Sequence, residues 1–184
     1  MIVVPILAAA ILLALARGGR ITNLAFISIR WPALIFAGFF IQVLIFTPPW
    51  QERETLRAYT QLAYVISLIF LWAALGLNWH LPGMSVIAFG FSLNLAAVVL
   101  NAGYMPSSAL AMEMAGLPPL GPGEIMNNSV GIGDMTVLPF LGDIFSVPSL
   151  LPFANVFSIG DILIALGAVY LVYKVIRAPA PART

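Results

Sequence analysis

The residues of this chain that could do chemistry are few, and most of the acidic ones lie close together in sequence. From Leu81 to Tyr173 there is no Lys or Arg, while Glu113, Glu124, Asp134, Asp143 and Asp161 all fall in that stretch. Unbalanced carboxylates concentrate cations through their summed field, provided at least two of them converge. If none converge, they are only an acidic face from which basic residues are excluded. Three amides, Gln42, Asn94 and Asn101, sit inside or at the end of apolar runs, where polar groups are expensive and face protein or a wet cavity. Ser158 and Asp161 form an S-x-x-D pair. In that spacing the hydroxyl caps a helix and the carboxylate three residues on favours its N-terminal dipole. The same carboxylate could also serve a cation or a proton. Gln42, Asn94, Asn101, Asp143, Ser158 and Asp161 are therefore the candidate polar site.

Nothing assembles into a catalytic centre. The chain has no Cys and a single His, which removes thiol nucleophiles and leaves too few ligands for a catalytic zinc. His80 lies in a turn, Asn78-Trp79-His80, on the side predicted to be opposite most of the serines. There is no G-x-S-x-G and no H-E-x-x-H, and Gly121-Pro122-Gly123-Glu124 and Gly131-Ile132-Gly133-Asp134 do not extend into a phosphate-binding signature. Met105, Met112, Met114, Met126 and Met135 cluster in one segment, and Met112-Glu113-Met114 could suggest a soft metal. Methionine is equally an apolar gap-filler. No catalytic residue, metal or cofactor is assigned, and a non-enzymatic protein is expected.

The elements that must position the polar residues follow from the solvent. Of 184 residues, 61% are hydrophobic and 8% charged, with a mean hydropathy of +1.03. Soluble domains carry about 25% charged residues, so lipid is the expected solvent and nucleic acid is not an expected partner. Crossing about 30 Å of hydrocarbon takes about 20 apolar residues, which predicts helices over 1–16, 31–47, 58–77, 81–100 and 155–176. Ala14-Leu15-Ala16 resembles a signal-peptide cleavage site, but the charges follow the apolar run instead of preceding it. An odd number of spans puts Arg17, Arg20, Arg30, Lys174, Arg177 and Arg183 on one side, against only Arg53 and Arg57 beside Glu52 and Glu54 on the other. By the positive-inside rule the N-terminus is then outside and the C-terminus cytoplasmic. Trp31, Trp50 and Trp79 sit near span ends, as interfacial anchors do.

Small residues suggest how the helices pack. Gly83, Gly90, Asn94 and Asn101 are spaced by seven, four and seven, one line on a helix turning about 100° per residue. Gly160 and Gly167 repeat the seven-residue step, and Gly38 precedes Gln42 by four. The stripes read as close-packing faces with amides as glue, or as the lining of a small polar site at which the Gln42 and Asn94 faces meet. Between the fourth and fifth helices, residues 102–154 hold seven of the 14 prolines and seven of the 15 glycines. Pro106-Ser107-Ser108 and Gly116 bracket a short helix at 109–115. Irregular backbone enters a membrane only when packed on protein or facing water. The expected fold is thus all-α, a single polytopic membrane domain over 1–184 with five transmembrane helices and a partly helical Pro/Gly-rich outer loop that caps or re-enters the bundle.

Several blocks, in order, resemble a known family. They are Arg17-Gly18-Gly19-Arg20, Arg30-Trp31-Pro32-Ala33 with Gln42, Asn101-Ala102-Gly103-Tyr104-Met105-Pro106, Leu141-Gly142-Asp143, and Asn155-Val156-Phe157-Ser158-Ile159-Gly160-Asp161. Together, from the N-terminus to about Gly167, the chain resembles the bacterial membrane proteins grouped as domain of unknown function 5317. It departs at Ala102, where a second glycine is expected. The resemblance implies a multi-pass protein of the bacterial cytoplasmic membrane and no particular activity. On the sequence, the first expectation is an accessory or scaffold component that meets a membrane-protein partner or a second copy. The alternative is a small transporter or channel component binding a cation or small polar ligand beneath the outer loop. A lipid-acting enzyme ranks last.

Overall fold

The computed structural model describes residues 3–178. Residues 1–2 of the first expected span, and Arg183, lie outside the described residues. The helices are α1 (Val3–Ala16), α2 (Pro32–Ile45), α3 (Pro48–Gln51), α4 (Glu54–Arg57), α5 (Thr60–Leu77), α6 (Met84–Leu100), α7 (Ala109–Met114) and α8 (Ile159–Arg177). Five short strands occur as well: β1 (Met105–Ser107), β2 (Ile125–Met126), β3 (Ser129–Gly131), β4 (Phe145–Val147) and β5 (Asn155–Phe157). The fold is mostly helical, and the all-α expectation is corrected by these strands.

By length and composition, two helices are long and apolar enough to cross a membrane, α5 and α8, while α1, α2 and α6 are apolar but shorter. Local chemistry shortens them relative to the predicted spans. Pro32 starts α2, and Thr47-Pro48-Pro49 follows soon after its end. The turn before α6 ends at Gly83, whose φ of 83° is left-handed, a conformation that costs glycine nothing. Residues 155–157 were expected to open the last helix, but they are extended as β5, and α8 starts only at the Ser158 cap.

The five long helices alternate in direction. The end of α1 meets the end of α8, where Arg20 N donates to the Ile176 carbonyl at 2.8 Å and the Asn23 amide donates to the Ile176 and Ala178 carbonyls. The start of α2 is clamped to the end of α5 by Asn78, which accepts from Arg30 N at 2.7 Å and donates to Arg30 O at 2.9 Å. The most extensive packing is between α6 and α8. There the two glycine stripes face each other antiparallel: a Cβ on Gly83 would strike the Gly167 carbonyl, and one on Gly160 would strike the Gly90 carbonyl. Gly38 packs instead on Leu71 and Ser67 of α5.

Residues 101–158 fold over one end of the helices as a cap. β1 runs parallel and β2 antiparallel to β3, giving the order β1-β3-β2, and β4 pairs antiparallel with β5. Met105 and Leu141 of the cap pack on Leu68 of α5 and on Ala97 and Val98 of α6. α7 forms as expected between the Ser108 cap and Gly116 (φ 73°). Ala102 and Gly103, which turn the chain out of α6, both have positive φ, at 55° and 90°. A glycine at 102 would be free of the strain that Ala102 carries.

The α6–α8 contact yields a paired test. Alanine at Gly90 would place Cβ 2.8 Å from Leu163 Cβ and nearer still to the Gly160 carbonyl, whereas at Gly76 it would meet nothing within 4 Å. Gly90→Ala is expected to destabilise by about 1–3 kcal/mol through forced separation. Gly76→Ala is expected to be neutral or stabilising by up to about 1 kcal/mol. Thermal midpoints of the two variants in one detergent check both signs.

Candidate functional site

One helical turn beyond Gly90, the same α6 stripe carries Asn94 onto the first turn of α8. The Asn94 amide donates through Nδ2 to Asp161 Oδ1 at 2.8 Å, and its Oδ1 accepts from Ser158 Oγ at 2.8 Å. Ser158 and Asp161 complete a reciprocal capping box: Ser158 N donates to Asp161 Oδ2, and Asp161 N to Ser158 Oγ, each at 3.0 Å. Ser158 is fully buried. Both Asp161 oxygens therefore have a donor. The Gly160–Asn94 contact is tight enough that any side chain at 160 would displace the amide.

Asp143 arrives from the cap. Its backbone extends the sheet edge beside β1, with Asp143 N donating to Pro106 O at 2.7 Å and Ser108 N to Asp143 O at 3.0 Å. Gly142 permits this approach, because a Cβ there would overlap the Pro106 carbonyl. The Asp143 and Asp161 carboxylates line one cavity of about 250 Å³, together with Asn94, Tyr64 and Asn128. Burial, and then the Asp161 charge, raise the Asp143 carboxyl to about 7. Desolvation and a like charge both disfavour its ionised form. Asn128 Nδ2 donates to the Tyr64 hydroxyl at 3.2 Å. Asn128 also lines a wider cleft of about 930 Å³ beside Glu54, Arg57 and Gln61. The Tyr64–Asn128 pair thus stands between that cleft and the carboxylate cavity.

Four of the six sequence candidates, Asn94, Asp143, Ser158 and Asp161, come together here. Two do not. Asn101 lies at the end of α6, where it clamps the cap: its Nδ2 donates to Val137 O and its Oδ1 accepts from Val137 N, both at 2.9 Å. Gln42 donates to Ser67 Oγ of α5 at 3.1 Å, so the α2 face meets α5 and not the Asn94 stripe. Sequence reasoning missed Tyr64 and Asn128. A phenol in the second turn of an apolar helix was the available signal for the first, and Asn128 gave none beyond its turn composition. His80 is at the opposite end, with its ring Nε2 3.3 Å from Ser28 O. Among the described residues no group of three or more His, Asp or Glu could hold a metal ion. The arrangement offers carboxylate, amide and phenol oxygens to a hydrogen-bond donor or a positive charge.

No curated protein and no solved structure matches the chain. The blocks that resembled a family take on physical roles in the structure: a left-handed turn at 102–103, a close approach at Gly142, and a strand leading into a capping box at 155–161. With a family model matching residues 26–173, the chain belongs to the family of unknown function DUF5317.

Proposed function

We propose that this chain is a five-span protein of the bacterial cytoplasmic membrane, N-terminus outside, that binds a cation or small cationic ligand beneath its outer cap. The observation that carries this reading is the convergence of Asp143 and Asp161 on one cavity. A positive charge placed there relieves the repulsion between the two carboxylates. The membrane assignment draws support from the alternating helices and from the low burial of α5 and α8, at 17% and 22% of their apolar stretches. A core helix of a soluble protein would be mostly buried. Arg17, Arg20, Arg30, Lys174 and Arg177 lie toward the end away from the cap, as the positive-inside rule requires.

An accessory or scaffold role, with a membrane protein or a second copy as partner, is favoured by a different observation. Met135 and Leu150 at the cap's tips are 93% and 94% exposed, and Phe140, Leu151 and Phe153 are also exposed. Apolar tips of this kind dip into lipid or meet a partner.

Two measurements test the proposal. In detergent-purified protein, methylammonium binding followed by calorimetry is expected near pH 8. It should weaken about tenfold per pH unit below about 7, as Asp143 takes up a proton. The sign follows from the raised carboxyl, which is charged above that pH and neutral below it. Asp143→Asn should abolish both the binding and its pH dependence, and a folded wild type that binds no cation at any pH sinks the reading. For topology, the cysteine-free chain accepts single reporters, Thr22→Cys and Glu124→Cys. An impermeant maleimide added to intact cells should label only position 124, and equal labelling rules out the five-span arrangement.

A further inference from the structure

The carboxylate cavity does not end at its polar wall. Tyr64, Leu68, Phe91 and Ile164 line it and also line a second cavity of about 470 Å³ deeper among the helices. This chamber lies between α2, α5, α6 and α8, with Ile35, Phe39, Leu71, Ala74, Ile87 and Leu171 in its walls. Its few polar side chains, Gln42, Tyr64 and Asn78, each make a hydrogen bond within the fold. Gln42 is bonded to Ser67, and Asn78 is held by the Arg30 backbone and the Ala74 carbonyl. A guest in the chamber therefore meets a mostly apolar surface. One wall is open, because Ile29 and Phe39 are each about half exposed on the outside of the bundle.

The two cavities adjoin at Tyr64, Leu68, Phe91 and Ile164, with acceptors at the cap end and hydrocarbon below. An inorganic cation would use the upper part only. A neutral lipid chain would use the lower part only, and in a bilayer it would gain nothing over the surrounding tails, since those are equally apolar. Selection must come from the head. A primary ammonium carries three donors, and the side-chain oxygens around the cavity belong to Asp143, Asp161, Asn94, Asn128 and Tyr64. Asp161 is tied on both oxygens, whereas the Asp143 carboxyl has no hydrogen-bond partner among the described residues. Asp143 is the charged acceptor left for a guest.

We propose that the ligand is a single-chain primary amine amphiphile, its ammonium head between Asp143 and Asp161 and its alkyl chain in the α2–α5–α6–α8 chamber, reached from the bilayer past Ile29 and Phe39. This rests on the cation-binding reading above and adds the chain. Each cavity is of the size or close to the size of small-molecule sites, which run from about 300 to 1,000 Å³.

The test is competition against radiolabelled decylammonium on full-length protein in nanodiscs, with binding read as displaced label. Referred to free ligand in water, decylammonium is expected to bind at least tenfold more tightly than methylammonium, because its chain leaves water. Decanol is expected to bind at least tenfold more weakly than decylammonium at equal mole fraction in the bilayer. Asp143→Asn should weaken both amines, while Ile35→Trp, which fills the chamber, should weaken decylammonium and leave methylammonium unchanged. If methylammonium and decylammonium bind equally, the chain has no place in the chamber; the inference is then overturned and the carboxylate reading stands. If decanol matches decylammonium and Asp143→Asn changes neither, the carboxylate reading itself falls. The comparison of methylammonium, decylammonium and decanol on the wild type decides the matter even if a variant does not fold.

Discussion

The distance between the α6 and α8 backbones is the constraint on which the rest of the structure depends. Gly83 and Gly90 on one helix meet Gly167 and Gly160 on the other at separations that leave no room for a Cβ. On the proposed membrane reading there is no hydrophobic driving force between apolar helices, so association rests on van der Waals contact and interhelical hydrogen bonds. Both are available only at this spacing. Asn94 reaches Ser158 and Asp161 because Gly160 lets its amide lie against the α8 backbone. A methyl group at Gly160 would displace that amide. The helix contact and the polar network are therefore one interaction.

The cap answers a different requirement. A segment of more than fifty residues lying over apolar helix ends must find partners for its own backbone groups, since an unpaired one in such a place is costly. Here the solution is several very short strands instead of one long helix, and that choice fixes the position of Asp143. A helix through 139–153 would have pointed its side chains around a cylinder. In the structure, Gly142 slides against the Pro106 carbonyl, and Asp143 continues the edge of β1 toward the end of α6. Asn101 then ties the neighbouring turn down through both atoms of its amide. The carboxylate is held over the helix ends by backbone pairing, with little dependence on its own side chain for position.

Features with a helical period, or with a cap's fixed offset, were legible in the sequence. The seven-residue glycine steps and the S-x-x-D pair came through as a contact and a capping box. The strands were not legible, because three residues carry no readable alternation and their pairings join positions such as 105 and 129 across a loop. Asn101 shares the Asn94 stripe by arithmetic, but it follows the last residue of α6, so the helical projection no longer governs where it points. Gln42 shows the matching limit: a small-plus-amide face has no label for its partner, and Ser67 of α5 satisfied it. Whether the carboxylates converge was beyond periodicity altogether. Ala102 is a smaller lesson, since a glycine expected there on resemblance alone has its reason in a φ of 55°.

The two aspartates of the cavity are not equivalent, and their difference is where structure passes into function on the proposed reading. Asp161 is paid in full by hydrogen bonds from Asn94 and from the Ser158 backbone, and it sits on the first turn of α8, where the dipole favours its charge. It is a fixed feature of the fold. Asp143 has no donor of its own among the described residues, and burial and that neighbouring charge push its carboxyl up to about 7. One tied carboxylate thereby makes the other responsive. Near neutral pH, a cation entering the cavity replaces a proton on Asp143 as the partner of the pair, so binding and proton release are linked by necessity. Reversing the roles would undo this: if Asp143 were tied and Asp161 free, the α8 cap would open whenever the site took up a proton.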